Sequence, residues 1–522
     1  MSERSDSGSA SLAWMTDEGD TSRGAGPSST DQGPDAKTPP VGDNLRLIDF
    51  ANHKRFSVRR KVGTGGMGVV YEALDRERGE WVALKTLLGV SPLALYRFKR
   101  EFRALADVSH PNVINLHELF SDGEQIFFTM EFVDGVDFVE YVRGADPDDP
   151  ETHAACHARL RAALRQLASG LGAIHASGKL HRDIKPSNVL VTAKGRVVLL
   201  DFGLVSESVV ETLRSSGGDM VGTPAYVSPE QAGGGEASVA SDWYAVGTMV
   251  FLALTGELPF RGKGLAMLLA KQEHDPKPPS ELVAGIPEDL ERLCLDLLAR
   301  DPSKRPGAKE VLQRLGESKA APALDVASQE GIFVGRAYHL RLLKEAFDAT
   351  QRGRPVAIHV YGRSGMGKTS LVRRFLAQLR QGDGAVVLQG RCYERESVSF
   401  KALDSLIDSL CNYLTRLPDA RAAELMPRDI QALARVFPVL QRVQAVADAP
   451  RRSLEIPDPR ELRRRAFAAL KELLARIADR RSLILHIDDL QWGDACRPSK
   501  LTVAITPAST VSAVPAKVCT SR

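Results

Sequence analysis

The segment His181-Arg182-Asp183-Ile184-Lys185-Pro186-Ser187-Asn188, followed downstream by Asp201-Phe202-Gly203, restricts this chain more than any other feature. In-line phosphoryl transfer needs a carboxylate to meet an acceptor hydroxyl, a cation to offset γ-phosphate charge, and oxygen ligands for Mg²⁺. Asp183, Lys185, Asn188 and Asp201 meet these needs. Short motifs recur by chance, so their weight depends on the company they keep and its order.

Upstream, Gly63-Thr64-Gly65-Gly66-Met67-Gly68-Val69-Val70 is a Gly-rich loop. Its missing Cβ atoms let backbone N–H groups approach phosphates. Val82-Ala83-Leu84-Lys85 follows at the distance of the next strand, which places the Lys85 ammonium near the α- and β-phosphates. Glu101, in Phe98-Lys99-Arg100-Glu101-Phe102, is the expected anionic partner of that lysine; Asp107 lies nearer the end of the predicted helix. After a strand at Gln125 to Met130, the run Met130-Glu131-Phe132-Val133-Asp134-Gly135 reads as a hinge. The Glu131 carbonyl and the Val133 backbone would read the adenine edge there.

In this order the motifs resemble those of the bacterial eukaryotic-type serine/threonine protein kinases. The resemblance implies an α+β bilobal protein kinase fold over residues 56–316. It implies Asp183 as base, supported by Lys185, Lys85 and Glu101. The nucleotide would lie against Val62, Gly63, Gly65, Gly66, Gly68, Val70, Ala83, Lys85, Glu131 and Val133, with Mg²⁺ on Asn188 and Asp201. Ser228-Pro229-Glu230 stands where the family has Ala-Pro-Glu, a departure without chemical consequence. Asp242 and Arg305 sit where partners of the catalytic loop and of Glu230 are expected. Lys185 and Thr223 match the serine/threonine branch. Arg182, directly before the base, implies an anion that pins the segment 206–223, where Thr212, Ser215, Ser216 and Thr223 offer hydroxyls for phosphorylation.

A second motif lies beyond a linker at 317–330. The apolar strand candidate Val356 to Tyr361 runs into Gly362-Arg363-Ser364-Gly365-Met366-Gly367-Lys368-Thr369 and then a helical run, the setting a P-loop requires. Lys368 would reach the β- and γ-phosphates, and Thr369 would ligate Mg²⁺. Downstream, Leu483 to Ile487 is an apolar strand ending in Asp488, which would hold Mg²⁺, and Asp489, which would orient water. Phe333-Val334-Gly335-Arg336 before the P-loop and Asp488-Asp489-Leu490-Gln491-Trp492 after it resemble the AAA-like signal-transduction ATPases. Ala337 replaces the usual glutamate. The resemblance implies a partial α/β P-loop NTPase domain over residues 331–496. Its later strands are not recognisable, so an unpaired sheet edge is expected. Residues 497–522 contain no acidic side chain and no helical period, and read as a disordered or aberrant tail.

Residues 1–45 carry few large apolar side chains and read as a disordered arm. The formal charge of +3 is nearly balanced and gives no general argument for nucleic acid or membrane binding, so neither is expected as a partner. The apolar stretch Trp243 to Gly256 is too short to span a bilayer and reads as a buried helix, so a cytoplasmic location is expected. Six cysteines without metal-ligand spacing read as reduced thiols. The expected function is transfer of the γ-phosphate of MgATP to protein Ser/Thr hydroxyls, with self-association for autophosphorylation in trans and a nucleotide-binding regulatory module. The alternative is a nucleotide-dependent signalling scaffold with little kinase activity.

Overall fold

The computed structural model describes residues 53–65, 68–87, 91–122, 125–144, 150–201, 224–262, 264–316, 336–363, 366–382, 385–450, 458–493 and 515–519. These divide into two compact units. The first takes the described residues up to 89 together with 104–117 and 127–324. The second takes 90–103, 118–126 and 325–522.

Strands β1 (Phe56–Gly65), β2 (Gly68–Asp75) and β3 (Glu80–Leu87) open the first unit as an antiparallel meander. Helix α1 (Pro92–Leu105) and strand β4 (Leu116–Asp122) straddle the division; Val90–Arg103 and Glu118–Ile126 belong to the second unit. Strand β5 (Gln125–Glu131) pairs antiparallel with β3, Lys85 opposite Phe128. The register sets Gly65 opposite Gly68 and Val70 opposite Lys85, so the Gly-rich loop is the β1–β2 hairpin over the middle of β3. A Cβ at Gly68 would lie 1.8 Å from the Thr86 carbonyl oxygen, which is why only glycine fits there.

A helical part follows. Strand β6 (Gly135–Asp137) leads into α2 (Phe138–Arg143), capped by the Asp137 carboxylate, and α3 (Pro150–Ala176). Strands β7 (Val189–Thr192) and β8 (Val197–Leu199) complete a small antiparallel sheet with β6. Then come α4 (Pro229–Ala232), α5 (Val239–Thr255), α6 (Gly264–Glu273), α7 (Glu288–Leu297) and α8 (Ala308–Arg314). Helix α5 is apolar nearly all round and buried nearly throughout, the expected fate of such a helix in a protein core. Ser238 and Ser241 box its N-terminus, and Gly256, left-handed at φ 77°, ends it.

The later chain forms α9 (Ala337–Gln351), β9 (Ala357–Tyr361), α10 (Lys368–Gly382), β10 (Val386–Arg391), β11 (Glu396–Ser397) and α11 (Lys401–Thr415). It continues with α12 (Asp419–Leu425), α13 (Ile430–Val436), α14 (Gln444–Ala447), α15 (Pro459–Ala478), β12 (Leu483–Asp488) and β13 (Pro515–Cys519). Leu388 of β10 packs among Ile407, Leu410, Leu433, Leu440 and Leu473 from the surrounding helices. Strand β10 pairs in parallel with β12, and β13 in parallel with β9.

The last pairing departs from the expected unstructured tail. At Pro515–Cys519 the chain forms a strand that satisfies backbone groups of β9 at an edge expected to stay open. Among the described residues no helix is long and apolar enough to cross a membrane. Cys156, Cys294, Cys392 and Cys411 form no disulfide.

Candidate phosphoryl-transfer and P-loop sites

Between α3 and β7 the chain makes a sharp loop carrying Asp183. Arg182 there adopts a left-handed backbone at φ 68°, an uncommon state for a residue with a long side chain. Asp242, buried on α5, holds it: its carboxylate accepts from the backbone N–H groups of His181 and Arg182, both at 2.8 Å. His175 Nε2 lies 2.8 Å from the same carboxylate. His181 is fully buried and donates from Nε2 to the Leu200 carbonyl at 2.8 Å, which joins this loop to the end of β8. Burial pushes its imidazole below the ordinary value, so it stays neutral and its Nδ1 faces the Asp183 N–H at 3.4 Å.

The loop brings three predicted side chains together. Asn188 Nδ2 donates to the Asp183 carboxylate and to the Asp183 carbonyl, each at 2.8 Å, and Lys185 Nζ stands 3.0 Å from Asp183 Oδ2. Because the Asn188 amide nitrogen is committed to Asp183, its amide oxygen is the atom left to meet a cation. Across the site Lys85, buried on β3, pairs with Asp201 at 2.7 Å. Burial works to raise the Asp201 carboxyl, but the Lys85 charge and hydrogen bond override it and hold the group below the usual carboxylate range. Oxygen donors of this kind, an amide and a carboxylate, suit a hard divalent cation.

Of the predicted nucleotide contacts, Val62, Gly63 and Gly65 lie at the end of β1, Gly68 and Val70 on β2, and Ala83 on β3. Gly66 lies outside the described residues, as do Phe202, Gly203 and the hydroxyls Thr212, Ser215, Ser216 and Thr223. Glu131 ends β5 and its backbone N–H donates to Asn115 O at 2.9 Å; its carboxylate pairs with Arg196, and Val133 follows it, half-buried. Glu101 is buried on the part of α1 that belongs to the second unit. Arg305 holds Glu230 through both guanidinium nitrogens at 2.8 and 2.7 Å, as the motif order suggested. Sequence reasoning missed Lys271 on α6, whose buried ammonium donates to the carbonyls of Pro224, Ala225 and Val227. An isolated lysine inside a largely apolar helix carries no signal of that role.

In the second unit the turn between β9 and α10 carries the P-loop. Gly367 sits at φ 73°, the left-handed turn that opens α10; Gly365 lies outside the described residues and Gly362 directly follows β9. Lys368 Nζ donates to the carbonyls of Gly362 and Arg363 at 2.9 and 3.0 Å. Thr369 Oγ donates to the Asp488 carboxylate at 3.2 Å, so the two predicted Mg²⁺ ligands meet. Asp489, left-handed at φ 52°, pairs with Arg391 Nε at 2.9 Å and accepts from Gln491 at 3.0 Å. Two partners were not foreseen. Arg336 donates to the Met366 carbonyl at 2.7 Å and so braces the P-loop turn, and Arg391 reaches Asp489 because β10 lies in register with β12, Arg391 beside Asp488.

Two family models match the chain. Residues 56–315 match the protein kinase domain, and residues 332–501 match the AAA ATPase domain. The first segment is similar to the probable serine/threonine-protein kinase PknB of Lactococcus lactis, 31% identical over 53% of this chain and 43% of that protein. It is similar to the serine/threonine-protein kinase PknL of Mycobacterium tuberculosis, 36% identical over 48% of this chain and 62% of that protein. It is similar also to PknE of the same organism, 34% identical over 48% of this chain and 43% of that protein. The chain thus spans between 43% and 62% of the length of these relatives. It joins a protein kinase domain, similar to those of bacterial serine/threonine-protein kinases, to an AAA ATPase domain.

Proposed function

We propose that the chain transfers the γ-phosphate of ATP to serine and threonine hydroxyls of proteins. The observation that carries this reading is the arrangement of Asp183 between the Asn188 amide and the Lys185 ammonium, with Lys85 and Asp201 paired beside it. In this reading the Asp183 carboxylate accepts the hydroxyl proton while Lys185, at 3.0 Å, stabilises charge on the transferred group. Lys85 orients the α- and β-phosphates, and Gly68 lets the hairpin close over them. Mg²⁺, when bound by Asn188 and Asp201, offsets charge on the phosphate oxygens.

A second element of the proposal concerns activation. The Arg182 Nε is buried and has no hydrogen-bond partner among the described residues. A guanidinium nitrogen shut off from water without a partner calls for an anion. Phosphorylation within 206–223, by a second copy of the chain, would supply it. The P-loop module is proposed to bind a nucleotide through Lys368 and Thr369 and to regulate the kinase.

Radiolabel transfer from [γ-³²P]ATP with Mg²⁺ to the chain itself and to a Ser/Thr peptide tests this. Asp183→Asn is expected to lose label by at least about a hundredfold while ATP still binds, a loss in the range for a removed general base. Undiminished label in Asp183→Asn refutes the assignment.

A further inference from the structure

Helix α1 carries the predicted Lys85 partner, Glu101, and its basic face is embedded in side chains from the AAA ATPase segment. Lys99 Nζ lies 2.5 Å from Asp404 Oδ1. Arg103 reaches Glu396 at 2.7 Å, Asp404 at 2.5 Å and Asp408 at 2.7 Å, and all five groups are buried. Tyr96 adds a packed end: its hydroxyl accepts from Asn412 at 3.0 Å, and the Arg442 guanidinium lies 4.0 Å from its ring centroid. Strand β11 pairs in parallel with β4, Glu396 beside Leu119. A buried charged cluster is expensive to form and costly to break, so it suits a contact with a defined geometry.

The same elements touch the P-loop site. Asp404 is followed on α11 by Ser405, whose Oγ accepts from the Arg391 N–H at 2.7 Å and donates to the Arg391 carbonyl at 2.9 Å. Gly390 permits this approach, because a Cβ there would lie 2.9 Å from Ser405 Oγ. The Arg391 side chain holds Asp489, beside Asp488, the predicted Mg²⁺ ligand. Tyr393 lies between two guanidinium groups, with Arg391 5.2 Å and Arg103 5.7 Å from its ring centroid. A short run of contacts therefore joins Asp489 to Arg391, then to Tyr393 and Ser405, then to Arg103 and Asp404.

We infer that helix α1 of the kinase domain is the ligand of an acidic docking surface on the AAA ATPase domain, formed by Glu396, Asp404 and Asp408, and that a nucleoside triphosphate at the P-loop alters kinase activity through it. The inference rests on the kinase reading above. Nucleotide with Mg²⁺ brings new charge beside Asp488 and Asp489, which changes the pull of Asp489 on Arg391. Arg391 passes that change to α1 through Tyr393 and through the Ser405 and Asp404 pair. Glu101, which the kinase reading expects to partner Lys85, lies on the same helix as Lys99 and Arg103.

The test uses the full chain and two readouts: initial rate on a Ser/Thr peptide with MgATP, and hydrogen exchange of residues 92–105 with and without MgATP. Lys368→Ala is expected to change the peptide rate about fivefold or more and to abolish part of the nucleotide response of α1, a span typical of coupled sites. Combined with Tyr393→Ala, which removes one of the two routes, Lys368→Ala is expected to have a clearly smaller effect, whereas combined with Tyr393→Phe, which keeps the ring, it retains its full effect. Equal rates and equal exchange in wild type and Lys368→Ala overturn the proposal, as do effects of Lys368→Ala and Tyr393→Ala that simply multiply. A wild type that transfers no phosphate, yet shows Lys368-dependent exchange in α1, overturns the kinase reading and leaves the docking surface standing.

Discussion

Replacing Asp408 with Asn isolates a charge imbalance in the cluster around Arg103. Two cations, Lys99 and Arg103, face three carboxylates, Glu396, Asp404 and Asp408. The excess falls on Asp408: one of its oxygens meets Arg103 while the other is buried without a hydrogen-bond partner among the described residues. Burial first, and then the neighbouring Asp404 charge, push the Asp408 carboxyl up to about 6, against the pull of Arg103 and Lys99. Asp404, whose burial is overridden by Lys99 and Arg103, goes the other way and stays charged.

The consequence has a definite sign. Below about pH 4 folded and unfolded chains both hold the Asp408 proton, and between about 4 and about 6 only the folded chain does. The unfolded state then binds fewer protons, so this group makes stability fall as pH rises through that window. At about 1.4 kcal/mol for each of roughly two pH units, the loss is about 3 kcal/mol, complete by neutral pH. Asn cannot ionise and its amide oxygen can still accept from Arg103. The stability of Asp408→Asn minus that of wild type should therefore rise by about 3 kcal/mol between pH 4 and pH 7. Taking the difference cancels the titration of groups that do not interact with Asp408. Native-state hydrogen exchange of the α11 amides in a urea series, wild type and variant at matched pH, reads this difference for the second unit alone. A difference that stays flat or falls with pH refutes the reasoning.

Two further outcomes follow from buried contacts. Arg305→Met leaves Glu230 without its bidentate partner, and the carbonyls of Ala240, Ala299 and Arg300 lose a donor; a loss of about 3–5 kcal/mol in the first unit is expected in urea unfolding. Gly68→Ala forces a Cβ against the Thr86 carbonyl and must displace the β1–β2 hairpin. Equilibrium binding should show weakened ATP affinity at the kinase site, with nucleotide binding at the P-loop unchanged.

The candidate phosphoryl-transfer residues were legible because that chemistry demands fixed residue types at short spacings. Asp183, Lys185 and Asn188 sit within one loop, and Gly362 to Thr369 within one turn, so local sequence carries them. The Arg305 and Glu230 pair was legible only through family order, since those residues are far apart in the chain. Nothing local announced the partners that hold these segments in place. Arg391 reaches Asp489 through the parallel register of β10 and β12, and Lys271 meets three carbonyls through the packing of α6. The strand at Pro515–Cys519 was hidden for a related reason: five residues form a strand there by pairing with β9, a template the surrounding composition does not reveal.

The sequence by itself determined two nucleotide-site motifs, their order along the chain and the side chains that would handle phosphate. Tertiary structure decided which groups hold those side chains, and it placed the basic face of α1 among Glu396, Asp404 and Asp408. The reason is physical. A motif is a set of chemical groups within a few residues, fixed by the reaction it serves. A buried ion-pair cluster forms only when separate segments meet, and each charge in it, read alone, is indistinguishable from a solvated surface residue.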